Sequence, residues 1–426
     1  MSVPDELRRA VGDGEVRLAE GGDRVVDVPP RWVVTPTSTG EVGRVLEVAA
    51  EHELHVVVRG SGTKLHWGAP PSAAEVLLDM SRVRGVVEHA AGDLVAVIRA
   101  GTPLRDVQER LASAGQRLPL DEMLPGATIG GAVATGTAGP LRLRYGTPRD
   151  QVIGVTVVRA DGVTAHSGGK VVKNVAGYDL GRLFAGSYGT LGVLTEVAVK
   201  LSPMPAARAF VTRPVRTPAE VRDLTTRIKE ARLDPTGMEV ECPVPENYRR
   251  GTTVLRSAPH PDSLVLLLEG PADGVAARAD RAVDVLGEGT HVDTEPPPWW
   301  GRYPFGPEDV AVQVTTPVGQ LFGPVYSLRD AAREIPVRIF CSPGSGVLHA
   351  GIPGGTDPDR VTRIVEAVRT VAISHGGHCQ VLAAPPAVRA ELDLWGPVDA
   401  LGLMRAVKHE FDPAGRLAPG RFVGGI

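Results

Sequence analysis

The chain has 426 residues, 42% of them hydrophobic and 23% charged, with a formal net charge of −4. That is the balance of a soluble globular protein long enough for two cores, and it offers no electrostatic argument for nucleic acid as a partner. No stretch nears the roughly 18 consecutive apolar residues of a membrane span, and the N-terminus MSVPDELRRAVGDG lacks the apolar core of a secretory signal, so a cytoplasmic location is expected.

An apolar turn and a short strand, Val25–Val28, open the chain. Ser38 with Glu41 three residues on forms a capping box, and Val42, Val45, Leu46 and Ala49 supply the apolar stripe of the helix that follows. A strand, Leu54–Gly60, then runs straight into the loop SGTKLHWGAPP. Three strand-like runs, EVLLDM, GVVEH and LVAVIRAG, precede a helix over Thr102–Gly115 with Pro103 at its first position. A glycine-dense stretch, Pro125–Leu201, comes next, and the composition shifts near Ser202–Phe210. Beyond that boundary Thr217 and Glu220 make a second capping box with Pro218 at the first helical position, and Val221, Leu224 and Ile228 share one face. A strand at Ser263–Gly270, an Ala-rich helix to about Leu286 and the Pro/Trp loop Glu295–Gly306 follow. A strand VAVQVTT, a helix, strands PVRIFCS and VLHAGIP, a helix over Asp357–Ser374 and a strand CQVLAA complete the pattern. This alternation predicts an α+β sandwich of two split βαβ-like units. The tail Phe411–Phe422 carries turn chemistry and is expected to lie back over the first domain.

Glycine costs entropy on folding, so its density between β-branched runs at Pro125–Leu201 implies that backbone approaches something large. Three nucleotide and nucleophile motifs fail. Gly60-Ser61-Gly62 follows a strand, but Leu65 takes the third glycine position of a dinucleotide fingerprint and no helix opens there. Gly169-Lys170 is followed by Val171, and Thr164 stands where a P-loop needs its first glycine. Ser61, Ser187 and Ser345 each lack the glycine two residues before a nucleophile elbow. What remains is a pair of turns, RGSGTK and PGATIGGAVAT, whose successive N–H groups can cradle anions. Two separated cradles fit a long dinucleotide laid across a domain.

The segments VVVRGSGTK, LPGATIGGAVATGTAG, KVVKNVAGYDLGRLFAGSYGTLGVLTEVAVKLSP and FDPAGRLAPGRF resemble the FAD-binding domain of the p-cresol methylhydroxylase/vanillyl-alcohol oxidase superfamily. GPLRLRYGTPRDQVIG and GGKVVKNVAGYDL are similar, more narrowly, to the FAD-binding E subunit of bacterial glycolate oxidases. The resemblance implies an α+β chain with a two-subdomain FAD-binding domain over 1–203, a ferredoxin-like α+β cap over 204–395 and a returning segment over 396–426. It implies that Arg59, Gly60, Ser61, Gly62, Thr63 and Lys64 cradle the pyrophosphate. Pro125, Gly126, Ala127, Thr128, Gly130, Gly131, Ala134 and Thr135 would form the second wall, with Gly192 and Val193 near the adenine. The Lys173–Asp179 segment would lie close to the flavin face. Thr63 stands where covalent members carry a flavin-linking residue and His66 is nearby but off that position, so non-covalent FAD is expected. Tyr188 stands where relatives carry a glutamate.

The reaction implied is hydride transfer from C2 of a small 2-hydroxy acid to the flavin, with an Arg for the carboxylate and a base for the hydroxyl. Arg142, Arg144 and Tyr145 are the candidate catalytic residues. No metal site is expected: His349 stands alone where related dehydrogenases place a histidine cluster, and His375 and His378 have no carboxylate partner in sequence. Cys242, Cys341 and Cys379 form no CxxC, so the chain alone holds no four-cysteine iron–sulfur cluster and its thiols are expected to be inert. Electrons would then leave through partners, a second flavoprotein subunit and an iron–sulfur subunit, with any membrane association made through them. The alternative is a stand-alone FAD-dependent 2-hydroxy acid oxidoreductase. Trp299 and Trp300 offer either a contact surface or a buried lid.

Overall fold

In the computed structural model, residues 2–12, 14–170, 179–242 and 262–426 are described. The chain divides into two units, the first made of Met1–Ala138, Tyr145–Met204 and Val398–Ile426 and the second of Gly139–Arg144 and Pro205–Pro397. The strip 139–144, read from sequence within the first domain, therefore goes with the second unit.

The first unit is built on two sheets. One runs Glu15–Leu18, Trp32–Thr35, Val76–Asp79, Val56–Arg59, antiparallel at its first pair and parallel at the other two. Its parallel strands are short and β-branched, as strands covered on both faces must be. The helix Thr39–Glu51 packs Val42, Val45, Leu46 and Ala49 onto this sheet's core. Ser38 caps it as the sequence predicts, its Oγ accepting from Glu41 N–H at 3.3 Å, while the Glu41 carboxylate reaches one residue further back than a capping box requires and accepts from the Thr37 N–H at 2.6 Å. The second sheet is antiparallel, in the order Val86–Ala90, Val95–Arg99, Val193–Lys200, Val152–Val158, Thr164–Gly168. The predicted strand Val25–Val28 is instead a two-residue turn closed by a Val25–Val28 bridge, with Val26 at φ 57°. The opening apolar turn is a helix, Val3–Val11.

The tail begins with a helix, Leu401–Phe411, whose Val407 and Phe411 pack on the core of the second sheet, Phe411 edge-on to Phe184. Asp412 then turns the chain. Its buried carboxylate accepts from Lys408 Nζ at 2.6 Å and from the Leu417 and Arg416 N–H groups at 2.7 and 3.0 Å. Leu417 bridges to Val56, which lays the tail along the strand leading into the first glycine loop.

The second unit is one eight-stranded antiparallel sheet. Its order is His291–Asp293, Ala207–Val215, Asp262–Gly270, Gly237–Cys242, Arg338–Ser342, Val347–Ile352, Val310–Thr315, His378–Ala383. Read along the chain, 207–293 and 310–383 are each a βαββαβ unit, and the two join edge to edge where Val240 pairs with Cys341. That is the α+β, ferredoxin-like architecture expected. Trp299 and Trp300 lie against their own sheet, 5.3 Å from the Phe340 ring and 5.4 Å from the Phe210 ring respectively. All three cysteines are free and buried.

Candidate functional site

The first unit holds a cleft lined by residues of both glycine loops. The strand Val56–Arg59 delivers one loop to it and the helix Ile129–Thr135 the other. These loops interlock, because a Cβ at Gly60 would overlap the Thr128 side chain, so only glycine fits there. Gly62, at φ 82°, takes the left-handed turn that re-aims the backbone. Thr128 Oγ1 also caps the helix, accepting from the Gly131 N–H at 3.2 Å.

Of the residues singled out from sequence, the structure brings Arg59, Gly60, Ser61, Gly62, Thr63, Lys64, Thr128, Gly130, Gly131, Ala134, Thr135 and Gly192 into this one lining. Pro125, Gly126, Ala127 and Val193 lie outside it. Ala127 and Val193 are core residues, and Gly126 is in a turn whose N–H donates to Glu122. Residues 173–178 lie outside the described residues. Ser187, Tyr188, Gly189 and Arg421 also line the cleft, and sequence reasoning did not choose them. Tyr188 adopts φ 55°, an unusual conformation for a bulky residue, and stacks on Phe422 at 5.4 Å. Burial pushes its phenol up to about 12, so it stays protonated.

Three cations border the cleft. Arg59 is spent on the protein, donating to Asp79 Oδ2 from Nε at 3.1 Å and to Asp23 Oδ1 from Nη1 at 2.8 Å. Asp23, also held by Arg17, sits well below the ordinary carboxylate range, chiefly through the Arg17 bond and against its own burial. Arg421 donates to the Leu65 carbonyl at 3.0 Å and so fastens the tail to the first loop. Lys64 Nζ is buried with no hydrogen-bond partner. An orphaned buried ammonium beside two glycine-rich turns fits an anionic dinucleotide.

Arg59→Met should destabilise the fold by about 3–5 kcal/mol, because it leaves Asp79 and Asp23 short of a buried partner. Chemical denaturation at pH 7 measures this. The Asp23 contribution has a depressed folded pKa, so it is fully present above the unfolded carboxylate value and is lost as pH falls toward the folded one. The gap between wild type and variant should therefore narrow in acid.

The catalytic candidates share one short helical turn, Arg142–Tyr145. Arg142 and Arg144 belong to the second unit and Tyr145 to the first. The Tyr145 hydroxyl is engaged by Arg117 Nη2 at 3.1 Å, and Arg144 is exposed. Arg142 is close enough to His349 for its charge to act there: burial first, then the Arg142 cation, lowers the His349 pKa to about 3. His349 Nε2 accepts from the Gln313 amide at 2.9 Å, Gln313 accepts from Gln380, and the Tyr303 ring stands edge-on at 4.9 Å. A single histidine already bonded to an amide, with a guanidinium charge nearby, is a poor donor set for a divalent cation. It is a neutral, hydrogen-bonding patch on the sheet.

Residues 30–168 match the family described as FAD binding domain, so the cofactor of this chain is FAD. The chain is 28% identical to the glycolate oxidase subunit GlcD of Bacillus subtilis, over 92% of this chain and 88% of that one. It is 40% identical to the glycolate oxidase subunit GlcE of Escherichia coli, over 44% of this chain and 52% of that one. The solved structure of p-cresol methylhydroxylase with substrate bound superposes with a TM-score of 0.75 at 16% identity, covering 98% of this chain and 96% of that one. At that identity the likeness shows the shared fold.

Proposed function

We propose that this FAD-dependent oxidoreductase oxidises small 2-hydroxy acids of the glycolate type as the E-like, flavin-bearing subunit of a complex. The observation that carries the reading is the 40% identity to GlcE over nearly half the chain, joined to a cleft with a buried, unpaired cation. The loops 59–64 and 128–135, with Gly192, hold the dinucleotide through backbone N–H groups and close approach. FAD is bound without a covalent link, since Thr63 offers no linking nucleophile at the loop position. When bound, FAD supplies the hydride acceptor. Arg142 is the cation for the substrate carboxylate, with neutral His349 beside it as a hydrogen-bonding group. Arg144 and Tyr145 have no role in this scheme, because one faces solvent and the other is held by Arg117. Partners, a second flavoprotein subunit and an iron–sulfur subunit, complete the electron path.

The near full-length likeness to GlcD favours a second reading, a chain that turns over substrate alone. A dye-linked assay separates the two. The purified yellow protein should reduce dye slowly with glycolate or D-lactate, and at least tenfold faster when co-purified with its native partners. Full activity in the isolated chain would reject the subunit reading and favour the stand-alone enzyme. No helix among the described residues is long and apolar enough to cross a membrane, so attachment to one would run through those partners.

A further inference from the structure

Lys64 is the one cleft cation whose charge the protein leaves unanswered among the described residues. Its residue exposure is 7%, its Nζ meets no hydrogen-bond acceptor, and the cleft lining contains no Asp or Glu. Burying an ammonium without a partner costs several kcal/mol. A fold that keeps it there stores a site for a negative charge. The other charged or titratable groups facing the cleft cannot supply that charge. Arg59 and Arg421 are cations with partners, the carboxylates of Asp23 and Asp79 are taken by Arg59, and Tyr188 stays protonated.

We propose that the Lys64 ammonium is the fixed counter-cation of the cofactor's pyrophosphate, so that this one side chain sets how tightly, and over what pH range, the cofactor is held. The proposal rests on FAD being the ligand of this cleft. Two features favour the pyrophosphate over the flavin ring. It carries negative charge in both redox states, so it answers the buried ammonium permanently. Lys64 also lies in the glycine loop that lines the cleft, inside the turn that the Leu65 N–H closes on the Gly62 carbonyl, and the N–H groups of such a loop are natural partners of phosphate oxygens. Burial pushes the free ammonium down to about 8, and a phosphate beside it raises that value. Between the two values binding takes up a proton. Affinity should therefore be level below about pH 8 and fall by about tenfold per pH unit above it, until the bound-state value is passed. In the absence of cofactor, Lys64 destabilises the fold while charged. The unfolded chain holds its proton to higher pH than the folded one, so stability rises as pH climbs from about 8 toward the ordinary lysine value.

Flavin-stripped protein titrated with FAD, riboflavin and ADP between pH 6.5 and 9.5 tests this. Lys64→Met should bind FAD about 30- to 300-fold more weakly at pH 7, as expected on losing a charge-assisted bond to phosphate, with no pH dependence above 8. Its riboflavin affinity should match wild type, and ADP should no longer compete with FAD. Lys64→Arg should keep FAD affinity within about fivefold and lose the fall above pH 8, since guanidinium does not titrate there. Without cofactor, the melting temperature of Lys64→Met should equal or exceed that of wild type, which excludes misfolding as the cause. Wild-type-like FAD binding by Lys64→Met overturns the proposal, and so does an equal loss of riboflavin, which would place the ammonium against the ring. A wild-type protein that binds neither FAD nor ADP overturns the flavin assignment itself, and the proposal with it.

Discussion

Gly131→Val is expected to give a folded protein that has lost its flavin. A Cβ built at Gly131 meets only Thr128 Oγ1, at 3.1 Å, and otherwise nothing within 4 Å, although the residue lines the cleft. A valine there can follow the helical backbone of Ile129–Thr135 at a cost near that of the glycine it replaces, because both are modest helix formers. Its methyl groups then take space the dinucleotide needs. FAD affinity should drop at least a hundredfold, read as loss of visible flavin absorbance from the purified protein, while the melting temperature of the flavin-free form stays within a few degrees of wild type. Gly130→Val is the contrasting case. Its Cβ would stand 2.7 Å from Ala100 Cβ and 2.8 Å from the Ala100 carbonyl oxygen, so that variant should lose stability whether or not flavin is present. Retention of full flavin by Gly131→Val would remove the second glycine loop from the cofactor site.

What the sequence made legible was local. Ser38 and Thr217 announced their helices because a capping box is written within four residues, and both caps form, the second with Thr217 Oγ1 accepting from Glu220 N–H at 3.1 Å. The second unit was legible as split βαβ-like units because alternation of strand and helix patterns survives in any context, although the strands Ala207–Val215, Gly237–Cys242 and His291–Asp293 were not read from the sequence. The glycine loops were legible as cradles because glycine density needs a reason. The partners of a side chain were not legible. Nothing near Arg59 in sequence says that Asp23 and Asp79 will consume its donors, or that Lys64, five residues on, will have none. Arg421 reaches the Leu65 carbonyl across a separation of 356 residues, and only the tertiary path of the tail sets that meeting. The strip 139–144 shows the same limit from the other side. Its sequence reads as a continuation of the glycine-rich stretch, yet Leu141 packs with Phe210, Val265 and Leu267 of the second unit. Within that unit Arg142 lies near enough to His349 for its charge to act on the histidine.

Asp412→Ala should be the most destabilising change in the tail, and its effect should extend to the cofactor. The carboxylate is fully buried and holds the ammonium of Lys408, itself 12% exposed, together with two backbone N–H groups. Removing it leaves a buried cation short of its counter-charge, at a cost of about 3–5 kcal/mol. Lys408 keeps the carbonyls of Thr190 and Leu417 as acceptors, which moderates that cost and makes a folded, weakened variant the expected outcome. The Leu417 N–H is one of the freed donors, and Leu417 is the residue that bridges to Val56 at the head of the strand leading into the first loop. Arg421, four residues further on, borders the cleft and ties the tail to that loop. Loosening the tail should therefore loosen one wall of the cofactor site. The two consequences are separable by linkage, because FAD at a fixed free concentration c raises stability by RT ln(1 + c/Kd). If the tail contributed stability alone, saturating FAD would raise the melting temperature of Asp412→Ala by as much as it raises wild type. A tail that also closes the cleft predicts a clearly smaller rise in the variant, with flavin released at lower dilution, and an equal rise would confine Asp412 to holding the fold.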